Sequence, residues 1–170
     1  FADYQEDYGI GVTINGVRTL YMDDSAPFVL AKSNASTSIV IDFPQITKAI
    51  TVGQRGSVTP AKFKFPWAAS QNFTAKVDSA YLEDYGIGVS IDGVRTLYMT
   101  TTQVFTLSNT TANTEVVLDF PKITKSIAVG DKGTVTPAKF KFPWNTAQEF
   151  TVTLLSGYSP NDYYISVNIN

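Results

Sequence analysis

The feature that most constrains this chain is an internal repeat with a fixed offset of 77 residues. Of the 72 positions from 7 to 78, 42 carry the identical residue at the offset position, and the match needs no gap. The run from Val58 to Trp67 returns unchanged as Val135 to Trp144. A repeat of this length indicates duplication of one structural unit, so both copies are expected to have the same fold. The sequence therefore predicts two tandem domains, residues 1–80 and 81–170.

Each copy has the composition and residue pattern of an all-β domain. Tyr, Phe and Trp make up 13% of the chain, and aromatic residues are favoured in strands. In the first copy, Tyr8, Ile10, Val12 and Ile14 alternate with small or polar residues, which is the period of a half-buried strand. No segment shows a helical period of useful length, so the pattern favours sheet throughout.

Turn signals divide each copy into short strands. Asn15-Gly16 and Asp92-Gly93 follow strand-like runs, and both pairs suit a two-residue type I′ hairpin. In the first copy the pattern predicts strands over residues 8–14, 17–22, 27–32, 37–43, 48–53, 57–65 and 72–78. Short strands at this spacing suit two tandem β-sandwich domains, immunoglobulin-like or jelly-roll-like, and a small barrel is the alternative.

The composition excludes several kinds of catalytic and metal site. The chain has no His and no Cys, so Ser-His-Asp and Cys-His catalysis, disulfides and thiolate metal sites are impossible. A net charge of −2 provides no basic surface for nucleic acid. No stretch reaches the roughly 20 apolar residues of a membrane helix. We therefore expect no enzyme activity, no cofactor or metal, no nucleic-acid partner and no insertion into a membrane.

Several acidic residues recur with the repeat. Asp7 and Asp42 of the first copy return as Asp84 and Asp119. Clustered carboxylates are oxygen ligands for Ca²⁺, and a carboxylate pair can hydrolyse a glycosidic bond. However, the spacing matches no known calcium loop, and a catalytic site duplicated in so small a domain would be unusual. Turn and strand-end roles are therefore the preferred interpretation.

The C-terminus carries a third copy of the first strand. Residues 162–170 resemble residues 84–92, and the apolar alternation is kept at Tyr163, Ile165, Val167 and Ile169. A strand without a partner leaves backbone groups unsatisfied. Three readings stay open. The strand closes the sheet of the second copy, as residues 84–92 would close that of the first; it pairs with a neighbouring subunit by donor-strand complementation; or it is a frayed end. In the second case, deleting residues 161–170 leaves a folded chain that cannot assemble.

Two further patterns have both a binding and a structural interpretation. Trp67 and Trp144 follow runs in which Lys and Phe alternate. Aromatic and basic residues together can stack on sugars or bases, but the period of two favours a strand with Phe in the core and Lys in solvent. Asn34, Asn72 and Asn109 fit the N-glycosylation pattern, at about the frequency expected by chance in a chain rich in Thr and Ser.

The residues from Phe43 to Val52, and again from Phe120 to Val129, read F-P-x-I-T-K-x-I-x-V. This motif resembles a stretch found in the β-domains of phage and marine-virus capsid-decoration or fibre proteins. The resemblance covers about half of each copy and is carried by a short, strand-like motif. It implies a structural component with no catalytic residues to carry over. The duplication and the third copy of the first strand lie outside this pattern.

Together these features predict a non-enzymatic structural protein, foremost a virion decoration or fibre component located on the virion surface or outside the cell. Its expected partners are copies of itself, or a capsid or other surface protein, contacted through strands or sheet edges. Two alternatives remain open. One is an extracellular, pilus-like filament subunit that polymerises by donor-strand exchange. The other is a carbohydrate-binding module that uses Trp67 and Trp144.

Overall fold

A computed structural model describes residues 6–169, which are all-β apart from a short 3-10 helix at Ser79–Tyr81. The strands of the first repeat are β1 (Ile10–Ile14), β2 (Val17–Tyr21), β3 (Ile39–Asp42), β4 (Thr47–Ala49), β5 (Thr51–Val52), β6 (Gly56–Thr59), β7 (Lys62–Lys64) and β8 (Gln71–Val77). The strands of the second repeat are β9 (Ile87–Ile91), β10 (Val94–Tyr98), β11 (Thr102–Leu107), β12 (Val116–Asp119), β13 (Thr124–Ser126), β14 (Gly133–Thr136), β15 (Lys139–Lys141) and β16 (Thr151–Leu154). Within the described residues, no helix has the length and apolar character needed to span a membrane.

The first two strands of each repeat form the predicted hairpin. β1 and β2 are joined by Asn15 and Gly16, whose φ angles are 49° and 84°. β9 and β10 are joined by Asp92 and Gly93, with φ angles of 49° and 81°. A type I′ turn needs positive φ at both central positions, which Gly adopts freely and Asn or Asp tolerates. The hairpin prediction is therefore confirmed in both repeats.

A third strand completes the same small sheet in each repeat. The strand order is β2-β1-β3 in the first repeat, and the second repeat has the corresponding order β10-β9-β12. In both sheets a Gly of the first strand lies opposite an Asp of the third, since Gly11 pairs with Asp42 and Gly88 with Asp119. The local sequence therefore produces the same sheet and the same register twice.

The main hydrophobic core lies between the two repeats and draws residues from both. β12 extends its sheet by pairing in parallel with β5 of the first repeat, and β11 pairs with β8, which also pairs with β6. The two resulting sheets, β10-β9-β12-β5 and β11-β8-β6, enclose a core that includes Phe73, Phe105 and Leu118.

We call residues 47–120 the central module. Its first half is residues 47–81 and its second half is residues 84–120. The boundary predicted near residue 80 separates the sequence repeats, and the sheets run across it.

The ends of the chain each correspond to one half of this module. Residues 7–43, the N-terminal half-module, match the second half of the central module, and residues 124–158, the C-terminal half-module, match its first half. The N-terminal half-module forms the sheet β2-β1-β3. The C-terminal half-module forms the pairs β13-β15 and β14-β16. Each half-module therefore forms its own strand pairs. Among the described residues, neither half-module packs against a complementary half as the two halves of the central module do.

The strand predicted over residues 27–32 is wrong, and the half-modules explain why. The equivalent of residues 25–30 is β11, and residues 25–30 have no assigned strand. β11 forms by pairing with β8 of the preceding repeat. Within the described residues, no equivalent of β8 precedes residues 25–30. The predicted strand over 57–65 is also divided, into β6 and β7, because Pro60 has no N–H for a ladder.

Candidate functional site

Asp7 and Asp84, one pair of repeated acids, connect the start of each repeat to later strands of the same repeat through hydrogen bonds and ion pairs. Asp84 accepts hydrogen bonds from Lys139 Nζ at 2.8 Å and from the Thr124 hydroxyl. The hydrogen bonds from Lys139 and then Thr124 lower the pKa of Asp84, and the hydrogen bond to Asp84 raises the pKa of Lys139. Asp7 makes the equivalent ion pair with Lys62, at 2.6 Å, and its pKa is lowered for the same reason. These carboxylates therefore tie one part of a repeat to another.

The other pair of repeated acids is also neutralised within its own repeat. Arg95 Nη2 donates to Asp119 Oδ2 at 2.7 Å, and Arg18 Nη2 donates to Asp42 Oδ2 at 2.6 Å. A Cβ at Gly88 would lie 2.1 Å from Asp119 Oδ1, so glycine leaves room for the ion pair. Among the described residues, no three His, Cys, Asp or Glu side chains are grouped so that they could hold a metal ion.

Each repeat has an open cleft beside its Trp, and these clefts are the candidate binding sites. The cleft of the second repeat has a volume of about 560 Å³ and is lined by residues that include Asp84, Lys139, Lys141, Trp144 and Gln148. Lys141 Nζ lies 5.1 Å from the centroid of the Trp144 ring, within the range of a cation–π contact. The first repeat places Lys64 and Trp67 in the same way, at 5.4 Å.

The two Trp residues nevertheless differ in their surroundings. Trp67 is half-buried and makes two backbone hydrogen bonds with Thr110 of the second repeat, at 3.1 and 2.9 Å. Trp144, the equivalent residue, is exposed. In the strand before Trp67, Phe63 is buried and Lys62 is exposed, as the period of two predicts. The sugar contact predicted for both Trp residues thus has more room at Trp144.

The three predicted glycosylation positions lie at the surface. Asn34, Asn72 and Asn109 are all exposed. The side-chain oxygen of Asn34 accepts a hydrogen bond from the backbone N–H of Ser36, and that of Asn72 accepts one from the Thr106 hydroxyl. Glycan attachment at these positions stays a prediction.

The residues predicted to form an assembly strand are exposed and carry no assigned strand. These residues are Tyr163, Ile165, Val167 and Ile169. Lys132 Nζ lies 4.8 Å from the Tyr163 ring and 5.8 Å from the Tyr158 ring. Arg55 is placed similarly over Tyr81 and Tyr85 at the start of the second repeat. The residues just before and at the start of the third copy of the first strand therefore make the same cation–π contacts as the residues just before and at the start of the second copy. A role for this strand in assembly stays a prediction.

The most distinctive surface consists of apolar side chains that are exposed in the half-modules and buried in the central module. Ile41 is 49% exposed, whereas Leu118, its equivalent, is 1% exposed. Phe43 is 65% exposed, whereas Phe120 is 4% exposed. In the central module these positions pack against the preceding repeat. The N-terminal half-module thus exposes one face of an incomplete core.

The C-terminal half-module exposes the opposite face of the same core. Phe150 is 37% exposed, whereas Phe73 is 1% exposed. Phe142 and Trp144 are exposed as well, although Phe65 and Trp67 are half-buried. Sequence analysis missed these two faces because it assigned each core to one repeat. The available signal was that residues 28 and 30 stay apolar in both repeats although the residues around them change.

No protein family, curated protein or solved structure matches this chain. Its function is therefore inferred from its own residues and contacts.

Proposed function

We propose that this chain is a non-enzymatic structural protein that assembles with other β-domains through its two half-modules. The observation that carries the proposal is the unequal burial of equivalent residues, above all Leu118 against Ile41 and Phe73 against Phe150. A contiguous exposed apolar surface marks an interaction site, because leaving it in water is unfavourable. The edges of the small sheets add unpaired backbone groups that a partner strand can satisfy.

Two features support a role without catalysis. The chain has neither His nor Cys, the side chains that most often serve as general base or nucleophile. The four repeated acids are each held by a Lys or an Arg of the same repeat, at 2.6–2.8 Å. Each of these carboxylates is thus engaged by a cation of its own repeat, which suits a structural role better than proton transfer.

We place the chain on a virion surface, or elsewhere outside the cell, because its repeated Phe-Pro motif resembles that of capsid-decoration and fibre β-domains. In the central module the Phe of this motif, Phe120, packs the second repeat on Gly56 of the first, and its equivalent, Phe43, is exposed. A motif that joins β-domains in this way suits a decoration or fibre component, which must present many domains in a regular array. The expected partners are copies of this chain, a capsid protein or another surface protein.

The proposal is tested by electron microscopy of the purified protein together with light scattering at a series of concentrations. We expect particles or filaments larger than one chain, and a mass that falls reversibly on dilution. The circular dichroism spectrum should stay constant across the series, since reversible association of folded chains leaves strand content unchanged. A chain that stays monomeric at every concentration contradicts the proposed self-assembly.

A carbohydrate-binding role is the second candidate, favoured by the exposed Trp144 at the edge of its cleft. An aromatic face beside Lys141, Lys139 and Gln148 offers stacking and hydrogen bonds to a sugar ring. Tryptophan fluorescence titrated with polysaccharides tests this role. A saturable change that Trp144→Ala removes and Trp67→Ala retains supports it, and an unchanged spectrum with every polysaccharide contradicts it.

A further inference from the structure

We infer that copies of this chain associate head to tail, so that the N-terminal half-module of one copy completes the C-terminal half-module of another. The inference rests on the proposed function and adds to it the partner, the two surfaces and their register. The chain already contains this interface once, inside the central module. Both of its surfaces recur at an offset of 77 residues, one at each end, and each is exposed there.

The first matching contact is an aromatic pair. In the central module, Phe73 and Phe105 lie opposite each other in the β8–β11 ladder, with ring centroids 5.3 Å apart and planes at 21°. The equivalent residues are Phe150 in the C-terminal half-module and Phe28 in the N-terminal half-module, and both are exposed. Rings stacked at this distance bury large apolar area. Phe28 of one copy therefore stacks on Phe150 of the next.

The second matching contact is a ring that fills a space kept open by glycine. A Cβ at Gly56 would lie 2.2 Å from atoms of the Phe120 ring, so the ring packs directly on the glycine. The equivalent residues are Gly133 and Phe43. At Gly133 the nearest atom to an added Cβ is the Thr153 carbonyl oxygen, at 3.1 Å. The C-terminal half-module thus has the space, and the N-terminal half-module has the ring.

Polar contacts follow the same correspondence. In the central module, Lys48 Nζ donates to the Thr114 carbonyl oxygen at 2.9 Å. The equivalent residues are Lys125 and Thr37, which lie in opposite half-modules and are kept in both repeats. A hydrogen bond from a charged donor to a backbone carbonyl specifies register as well as adding stability. Lys125 of one copy is therefore placed to bind the Thr37 carbonyl of another.

Trp144 fits the same pattern. Its equivalent, Trp67, pairs through its backbone with Thr110. The residue that corresponds to Thr110 in the N-terminal half-module is Ser33, which keeps the hydroxyl group. The exposure of Trp144 is thus the exposure expected of a residue whose partner lies on a second copy.

The charges of the two surfaces are complementary. Residues 84–120 carry four acidic residues and one Arg, a net charge of −3, and residues 47–81 carry five basic residues and one Asp, a net charge of +4. Residues 7–43 carry four Asp, one Arg and one Lys, a net charge of −2. Residues 124–158 carry four Lys, one Asp and one Glu, a net charge of +2. Opposite net charge promotes encounter of the unlike half-modules and disfavours contact between like ones.

Residues 163–169, the C-terminal copy of the first strand, fit the position of the first strand in a sheet less well than β1 of a second chain does. Gly86, at the start of this strand in the second repeat, would place an added Cβ 2.5 Å from the Tyr98 backbone oxygen. The third copy has Tyr164 at this position, whereas the first repeat has Gly9. Backbone atoms cannot move aside cheaply, so donor-strand exchange by residues 163–169 is disfavoured. These residues are exposed, and an incoming β1 can displace them at little cost.

The test uses two full-length variants, each with one surface disabled. Phe43→Asp disables the N-terminal half-module, and Phe150→Asp disables the C-terminal half-module. Because both side chains are exposed, both variants should retain the wild-type circular dichroism spectrum. Each variant alone should be monomeric at concentrations where the wild type associates, with affinity reduced by at least about tenfold, because central aromatic anchors dominate interfaces. An equimolar mixture should give a discrete heterodimer by analytical ultracentrifugation.

One substitution serves as a matched control and a second as a milder test of the same contact. Val17→Asp places a charge on the N-terminal half-module outside the contact, since its equivalent, Val94, stays 74% exposed in the central module. It should leave association unchanged. Gly133→Ala adds only a methyl group within the contact and should weaken association. Because this methyl group would lie 3.1 Å from the Thr153 carbonyl oxygen, it should also lower the unfolding midpoint of the isolated chain slightly.

Hydrogen exchange gives a readout at the level of single segments. In the assembled wild type, residues 25–30 should become as protected as β11, because they gain the strand partner that β11 has. Deleting residues 164–170 should leave this protection and the association intact. Loss of association on that deletion would assign the contact to strand exchange and overturn the head-to-tail inference.

The outcomes separate this inference from the proposed function. If the wild type stays monomeric at all concentrations, the proposed self-assembly and the head-to-tail contact are both wrong. If the wild type assembles and Phe43→Asp and Phe150→Asp assemble equally well, the proposed function stands and the head-to-tail contact is wrong. If either variant alone forms a dimer, the contact joins like half-modules and the inference is again overturned.

Discussion

The central module and the two half-modules contain closely similar residues in different surroundings. Phe105 and Leu107 lie in a strand and are buried, whereas the identical pair, Phe28 and Leu30, is exposed and has no assigned strand. The two apolar side chains are the same in both segments, although the residues around them differ, and among the described residues only β11, the segment of Phe105, has a neighbouring strand to pair with. Strand formation and burial in this segment are therefore properties of two adjacent repeats together.

This difference distinguishes the unit of sequence from the unit of structure. Each repeat supplies the second half of one module and the first half of the next, so a complete core needs parts of two repeats. Stacked repeats that share cores in this way derive stability from the interface between neighbours as much as from each repeat. The described residues accordingly contain one complete module and, in the two half-modules, two surfaces that are suited to association.

The largest difference in the free energy of unfolding between the central module and a half-module is expected when a charge is placed at equivalent apolar positions. Leu118→Asp buries an unpaired carboxylate and should lower the free energy of unfolding by roughly 4 kcal/mol or more. Ile41→Asp, at the equivalent exposed position, should change it by less than about 1 kcal/mol. Urea unfolding at low protein concentration measures both. Equal losses would show that Ile41 is as buried as Leu118.

A smaller difference is expected from removing an aromatic ring. Phe73→Ala leaves a cavity beside Phe105 and should cost about 3–5 kcal/mol. Phe150→Ala removes a ring that is already partly in water and should cost about 1 kcal/mol. The same unfolding experiment compares the two, again at low protein concentration. A loss at Phe150 as large as that at Phe73 would mean that the isolated C-terminal half-module has a core of its own.

The hairpin turns should behave alike, because their contacts lie within one repeat. Gly93→Ala forces a Cβ into the left-handed conformation, at φ of 81°, and should cost about 1–2 kcal/mol. No atom lies within 4 Å of the added Cβ, so the cost is conformational and not a clash. Gly16→Ala, at φ of 84°, should reduce the stability of its own hairpin by the same amount. Residue-resolved hydrogen exchange of β1 and β9 can compare them, and a clear inequality would show that the neighbouring repeat also stabilises the turn.

The smallest effect concerns pH. Because the ion pair with Lys139 lowers the pKa of Asp84, its stabilisation is complete above the unfolded pKa, about 3.9, and is lost as the pH falls through the lower folded value. Asp84→Asn should therefore be slightly less stable than the wild type at pH 7, and the difference should shrink as the pH falls below about 4. Asp7→Asn should follow the same profile. Unfolding midpoints from pH 7 to pH 2 test this, and a difference that grows at low pH would contradict it.

Much of the local structure could be predicted from single residues. The alternation of apolar residues predicted strands, and Asn-Gly and Asp-Gly predicted the hairpins that β1–β2 and β9–β10 form. The repeated acids were assigned structural roles, and Asp84 and Asp119 do tie strands together through Lys139 and Arg95. These features depend on neighbours in the same repeat, which the pattern of residues reveals.

Features that depend on a neighbouring repeat could not be predicted in this way. The strand predicted over residues 27–32 is wrong. Its equivalent, β11, forms by pairing with β8 of the preceding repeat, and no strand that corresponds to β8 precedes residue 27 among the described residues. The two exposed faces were missed for the same reason, since Ile41 and Leu118 are both apolar residues in a predicted strand and the sequence pattern does not distinguish their burial.

The sequence by itself determined that this protein is all-β, that its hairpins turn at Asn15-Gly16 and Asp92-Gly93, and that His and Cys chemistry is impossible. Only the tertiary structure decided which strands share a core. Local turns and alternation depend on residues a few positions apart, whereas the pairing of β8 with β11 joins residues about 30 positions apart in sequence. This pairing is stabilised by the apolar area that the first and second halves of the central module bury against each other, and neither half can bury that area alone.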